Sequence, residues 1–147
     1  MYKRILVATD GTELSDKAVD SAISLAALCG AELVALKVVP HYPQSYFEGS
    51  LPVNAEDVAQ AENKWTSEAE AVVTRVAETA QAKGVKAQGI CTKSDLVAEA
   101  IIAAAGKQEC DLIIMASHGR RGISRLLLGS ETQHVLTHST IPVLVLR

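Results

Sequence analysis

Residues 5–39 run ILVATDGTELSDKAVDSAISLAALCGAELVALKVV and contain the pattern on which the fold depends. The apolar run at 5–8 is too short for a helix and does not alternate with polar residues, which predicts a strand covered on both faces. From about Ser15, apolar residues recur at helical spacing, and Gly30 is placed to end that helix in a left-handed conformation. A second apolar run at 33–39 predicts another buried strand. This strand–helix–strand order is typical of a parallel sheet with its crossovers packed on the faces.

The same alternation continues to the end of the chain. The stretch at 40–52 predicts a loop, and 55–83 predicts one long amphipathic helix that stops near Gly84. The later predicted elements are a strand at 85–91, a helix capped by Ser94 or Asp95, a strand at 112–116, a helix at 130–138 and a strand at 143–146. Together they predict one α/β domain over residues 1–147, an open parallel five-stranded sheet with helices on both faces. Ligands of such sheets bind beyond the carboxyl ends of the strands, so the loops after the first and fourth strands are the candidates.

Composition and charge narrow the possible classes of function. The chain has 147 residues, of which 48% are hydrophobic and 3% aromatic, and its formal net charge is -3. The few aromatics and the acidic balance argue against a nucleic-acid partner. No stretch approaches the ~20 apolar residues of a membrane span. Cys29, Cys91 and Cys110 are odd in number and far apart, which predicts reduced thiols and a cytoplasmic location.

The segment 115–130, MASHGRRGISRLLLGS, joins the fourth strand to the last helix and carries the candidate chemistry. Its glycines, Gly119, Gly122 and Gly129, allow backbone amides to approach a ligand, and the helix that starts at Ser130 directs its unpaired N–H groups to the same place. Nearby arginines add local positive charge, or are simply solvated. The residues alone favour a phosphate cradle. The alternative is an ordinary turn that uses glycines and a serine N-cap.

The spacing Ser117-His118-Gly119, nine residues, then Gly129-Ser130 resembles the nucleotide loop of the ATP-binding universal stress proteins. The similarity runs from ILVATDGTE at 5–13 to STIPVLVL at 139–146 and so covers the whole chain. The resemblance implies an adenine nucleotide alpha-hydrolase-like fold with strand order 3-2-1-4-5. It also implies a regulatory stress-response protein that binds ATP, or alternatively ADP or AMP, with slow or no hydrolysis.

The resemblance further implies which residues surround the nucleotide. The phosphates would lie at the glycine loop, the ribose near Ala116, where the family usually has glycine, and the adenine against Ala8 and Val38. Asp10 would contact the nucleotide or lie near Mg²⁺ carried by ATP. From the residues alone, Ala8 and Val38 are equally well explained as core, and Asp10 as a turn aspartate that accepts its own downstream amides. The whole implied set is Ala8, Thr9, Asp10, Val38, Met115, Ala116, Ser117, His118, Gly119, Arg120, Arg121, Gly122, Gly129, Ser130, Glu131 and Thr132.

We predict no catalytic residue and no metal site formed by the protein alone. His134 and His138 lie four residues apart on the last predicted helix, but no third ligand has matching spacing. The chain lacks the G-x-x-x-x-G-K-[S/T] loop, a companion carboxylate for Mg²⁺ and an evident base, so at most weak ATPase activity is expected. An adenylate-chemistry enzyme is a less favoured alternative, because the chain has neither a His-x-Gly-His element nor a Ser-Gly-Gly-x-Asp-Ser loop. A nucleotide-free dimeric interaction module is the third hypothesis.

The last predicted strand, Val143 to Leu146, would lie at an edge of the sheet. An apolar edge strand needs covering, and pairing with its copy in a second chain would cover it. This predicts a two-fold homodimer, which the family resemblance also implies.

Overall fold

The computed structural model of the protein describes residues 1–43, 54–119 and 127–147. Strands and helices alternate along the described chain, as the apolar runs predict. The strands are β1 Arg4–Ala8, β2 Glu32–Val39, β3 Ala87–Lys93, β4 Leu112–Ala116 and β5 Val143–Leu146, and the helices are α1 Glu13–Cys29, α2 Ala55–Ala82, α3 Val97–Lys107 and α4 Ser130–His138.

The five strands form one parallel sheet in the order β3-β2-β1-β4-β5. Register places Ile5 beside Leu33 of β2 on one side and Leu112 of β4 on the other. The predicted fold class and strand order are therefore confirmed. The chain leaves β1 toward β2 and later returns to β4 on the other side of β1, so the strand order reverses between β1 and β4.

Each face of the sheet is covered by two helices. Ile5 and Val7 of β1 point into a core formed with α1 and α2, whereas Leu6 points into a second core formed with α3 and α4. Successive side chains of a strand point to opposite faces, so a strand covered on both faces needs an unbroken apolar run. This explains the continuous, non-alternating apolar sequence of β1 and β4, in which all five residues of β4 are buried.

Helix α1 begins two residues earlier than the predicted start near Ser15. Thr12 is its N-cap, and the Thr12 side chain accepts a hydrogen bond from the backbone of Ser15. At the other end Gly30 has a φ of 65°, so the predicted left-handed termination is confirmed.

The start of β3 and the cap of α3 also differ from the prediction. Strand β3 begins at Ala87 rather than at Val85, because the Val85 amide donates to the Ala80 carbonyl and still belongs to the end of α2. The prediction that Ser94 or Asp95 caps α3 is wrong. The N-cap residue is Leu96, which provides no side-chain hydrogen bond. The predicted loop at 40–52 lies largely outside the described residues.

Candidate functional site

The candidate site lies at the carboxyl ends of β1 and β4, where the strand order reverses. After β1 the chain enters α1 on one face of the sheet, whereas after β4 it leads to α4 on the opposite face. Two loops that diverge in this way leave a crevice above the strand ends, which is the usual ligand position in open α/β sheets. The two loops predicted to be candidates do therefore lie next to each other.

Asp10 forms the β1 side of the crevice. Its Oδ1 accepts hydrogen bonds from the Thr12 amide at 2.9 Å and from the Thr12 hydroxyl at 2.6 Å. Oδ1 therefore acts as predicted for a turn aspartate, which accepts a hydrogen bond from a downstream amide. The other oxygen, Oδ2, faces the second loop, since a Cβ built on Gly119 would lie 3.1 Å from it. Asp10 therefore joins the two loops and has one oxygen directed toward the glycine loop.

The β4 side of the crevice is fixed to the start of α4. The Ser117 carbonyl accepts hydrogen bonds from the Gly129 amide at 2.8 Å and from the Thr132 hydroxyl at 3.1 Å, and the same hydroxyl lies 3.0 Å from the Ala116 carbonyl. Ser117 and Thr132 are each only 2% exposed. The Gly129 amide is thus used within the loop, and Gly129 allows the chain to pass close to Ser117: a Cβ there would lie 3.2 Å from the Ser117 oxygen.

The first turn of α4 presents backbone donors to the crevice. The first amide that bonds back to the helix start is that of Gln133, which donates to the Gly129 carbonyl at 3.0 Å. The amides of Ser130, Glu131 and Thr132 precede it and donate to no other described residue. Unpaired amides and the positive end of the helix dipole together favour an anion.

Glu131 directs its side chain away from this turn. Its carboxylate accepts a hydrogen bond from the Ala98 amide, in the first turn of α3, at 3.0 Å. The N-cap residue Leu96 has no capping side chain, so Glu131 takes that role from another helix. The carboxylate is thereby occupied at α3, while the amide of the same residue remains at the start of α4.

The remaining predicted site residues divide between the loop and the core. His118 Nδ1 lies 2.9 Å from the Ser117 hydroxyl. Thr9 is 5% exposed, and its hydroxyl lies 3.2 Å from that of Ser15, so its side chain belongs to the interior. Three apolar members of the set pack against the α3–α4 core: Ala8, Val38 and Met115. Arg120, Arg121 and Gly122 lie outside the described residues.

Lys37 also lies beside the crevice, although it is not among the predicted site residues. Its Nζ lies 3.4 Å from the Asp10 carbonyl oxygen, and a Cβ built on Gly11 would be 3.8 Å from it. The available signal was a single lysine within an otherwise apolar strand, because such a residue needs a polar partner at the strand end.

The histidine pair on α4 is stacked, with ring centroids 4.2 Å apart. Across the described ranges, no three His, Cys, Asp or Glu side chains are grouped so that they could hold a metal ion. Thr12 occupies only Oδ1 of the Asp10 carboxylate. Oδ2 is therefore the oxygen that could contact a nucleotide-bound Mg²⁺.

None of the described helices has the length and apolar character needed to cross a membrane.

The fold defines the class as an open-sheet α/β protein with a crevice where the strand order reverses, which is the usual ligand position in such sheets. The sequence model of the universal stress protein family matches residues 1–147, and the chain belongs to this family. It is similar to universal stress protein YxiE of Bacillus subtilis, with 32% identity covering all of both chains.

Two solved structures of relatives are also similar to the chain. One is MJ0577 of Methanocaldococcus jannaschii, with 30% identity, a TM-score of 0.82 and coverage of 99% of this chain and 96% of that one. The other is a universal stress protein in complex with cAMP, with 27% identity, a TM-score of 0.72 and coverage of 99% and 97%.

Proposed function

We propose that the protein binds ATP at the crevice between β1 and β4 and acts as a regulatory protein with slow or no intrinsic hydrolysis. The observation that carries this proposal is the first turn of α4, whose amides at 130–132 donate to no other described residue and follow Gly129, which packs against Ser117 and His118. Amides of this kind bind a phosphate through backbone donors with fixed positions. In this proposal, residues 1–147 form a single nucleotide-binding domain.

The choice of an adenine nucleotide is supported by the relative solved in complex with cAMP. In this chain the adenine would lie against Ala8 and Val38, whose side chains are half-buried at the carboxyl ends of adjacent strands. A partly exposed apolar surface of this kind favours contact with a base. The ribose would then lie between these residues and the Ala116–Ser117 carbonyls.

Sequence features favour binding over turnover. The chain has no G-x-x-x-x-G-K-[S/T] loop and no companion carboxylate that would mark a committed Mg²⁺ site, which supports slow hydrolysis at most. The donors at α4 position a phosphate without activating a nucleophile. ATP would therefore act as a bound ligand whose presence alters the surface of the protein.

Isothermal titration calorimetry of the purified chain with ATP tests the proposal. We expect saturable binding to the wild type and loss of that binding in Gly119→Val, with unchanged far-UV circular dichroism. Gly106→Ala is the matched control, since a Cβ at Gly106 meets nothing within 4 Å and the residue lies on α3. Absence of both heat and thermal shift with ATP, ADP and AMP would reject nucleotide binding. The nucleotide-free interaction module would then be the better hypothesis.

We also propose that two copies associate through β5. This strand pairs with β4 on one side only, and Leu144 is 41% exposed on it. Pairing with a second β5 would satisfy the free edge and bury this side chain. Sedimentation equilibrium at micromolar concentration should give a dimer for the wild type and a monomer for Leu144→Lys. A monomeric wild type would contradict the proposal.

A further inference from the structure

A cleft of about 640 Å³ opens beside the glycine loop, next to the start of α1. Its lining comes from the α1 cap and first turns, from the residues after β4 and from the residue after β5. Ala8 and Val38, the proposed adenine contacts, pack on the opposite face of the sheet. The cleft thus adjoins the proposed nucleotide site without coinciding with its adenine end. The lining residues are Thr12, Glu13, Leu14, Lys17, Ser117, His118 and Arg147.

Among the described side chains that line the cleft, cations outnumber carboxylates. Lys17 and Arg147 contribute two cations, and Glu13 is the acidic side chain among the described lining residues. Neither cation forms a salt bridge with a described residue, in contrast to the paired side chains of Arg4 and Lys93. The chain as a whole carries a formal charge of -3, so this is a local reversal of sign. A concave surface with an excess of unpaired cations favours an anionic occupant.

His118 connects the cleft to the amides of α4. It lines the cleft, and the carbonyl of its neighbour Ser117 accepts the Gly129 hydrogen bond immediately before α4 begins. The His118 Nδ1 is paired with the Ser117 hydroxyl, while Nε2 forms no hydrogen bond with a described residue. A phosphate held by the α4 amides would therefore lie at the boundary of the cleft. Any phosphate attached beyond it would extend toward Lys17 and Arg147.

We infer that the cleft binds the distal phosphates of a nucleoside triphosphate, and that Lys17 and Arg147 distinguish ATP from AMP. The inference rests on the proposed function, because it requires that the first phosphate bind at α4. AMP ends at the α4 amides and does not reach the two cations, whereas the β- and γ-phosphates of ATP do. Lys17 and Arg147 thus determine the preferred length of the phosphate chain.

The test compares ATP and AMP affinities by calorimetry for the wild type, Lys17→Ala, Arg147→Ala and the double variant. Lys64→Ala is the control, since Lys64 is an exposed lysine on α2 and does not line the cleft. Loss of one solvent-exposed cation a few ångströms from a phosphate should weaken ATP binding about fivefold. The double variant should lose about 25-fold if the two residues act independently. AMP affinity should change by less than about twofold in every variant.

Tripolyphosphate provides an independent measurement of the same cleft. In direct calorimetry it should bind the wild type more tightly than the double variant, because its contacts are with the phosphate-binding groups alone. If ATP and AMP weaken equally in Lys17→Ala and Arg147→Ala, or if neither changes, the inference is wrong while the proposed function stands. If the wild type binds neither nucleotide, the proposed function fails and the inference fails with it.

Discussion

The substitution Gly89→Ala tests how closely α2 packs against β3. Gly89 lies in β3 opposite Ala35 of β2, and a Cβ built on it would lie 2.7 Å from the Val73 carbonyl oxygen and 2.8 Å from the Val73 carbonyl carbon. Ordinary contacts begin at 3.4 Å, so the helix backbone would have to retreat by roughly 0.7 Å. No side-chain rotation can relieve this contact, because the obstructing atoms are the carbonyl group and the Cβ of Val73, whose positions the backbone of α2 fixes.

The expected cost follows from two opposing effects. Gly89 is itself exposed, but the added Cβ would face the α2 backbone; overpacking of such a close contact costs about 1–3 kcal/mol, and a backbone obstruction should place Gly89→Ala at the upper end. Replacing glycine in a strand recovers about 0.5–1 kcal/mol of backbone entropy. The net loss in the free energy of unfolding is then about 2 kcal/mol, or a decrease in Tm of about 4–8 °C for a chain of this size.

Urea denaturation followed by circular dichroism measures this loss. Gly106→Ala is the matched control: Gly106 lies in α3 with open space around it, so the same substitution should stabilise the protein by about 0.5–1 kcal/mol. The two variants should therefore shift the urea midpoint in opposite directions. If Gly89→Ala is as stable as the wild type with an unchanged m-value, the described approach of α2 to β3 is incorrect.

Three further predictions concern polar contacts. Thr132→Val removes a buried hydroxyl whose single hydrogen is shared between the Ala116 and Ser117 carbonyls, and should cost about 1–2 kcal/mol in urea denaturation. An unchanged midpoint would argue against this shared bond. Glu131→Ala removes the cap of α3 and should cost about 1 kcal/mol, whereas Glu131→Gln keeps an acceptor and should lose less; equal losses would contradict the capping role. Hydrogen bonds from Lys86 and then Arg4 lower the pKa of Glu32 below its usual 4.5, so its stabilising effect exists above that pH and is lost as the pH falls through the lowered pKa. Glu32→Gln should therefore show a smaller loss of stability than the wild type between about pH 5 and about pH 3, measured as urea midpoints.

The fold class could be predicted because strands buried on both faces leave a local record in the sequence. The apolar runs of β1, β2 and β4 and the helical spacing of α1 each reflect burial of neighbouring residues, which depends on only a few positions along the chain. The predicted ends of helices and strands were less accurate where a contact with a residue distant in sequence determines the boundary. The start of α3, for example, is capped by Glu131 from α4, and no local pattern around Ser94 indicates this.

The sequence by itself determined the alternation of elements, the parallel sheet and the loops at which a ligand was expected. Only the tertiary structure decided which atoms of those loops are already occupied: Asp10 Oδ1 by the turn and the Gly129 amide by the Ser117 carbonyl. It also placed Lys17 and Arg147, which are far apart in the sequence, in one cleft. The physical reason is that periodicity records the burial of nearby residues, whereas hydrogen bonds and charge clusters between distant segments exist only once the helices have packed on the sheet.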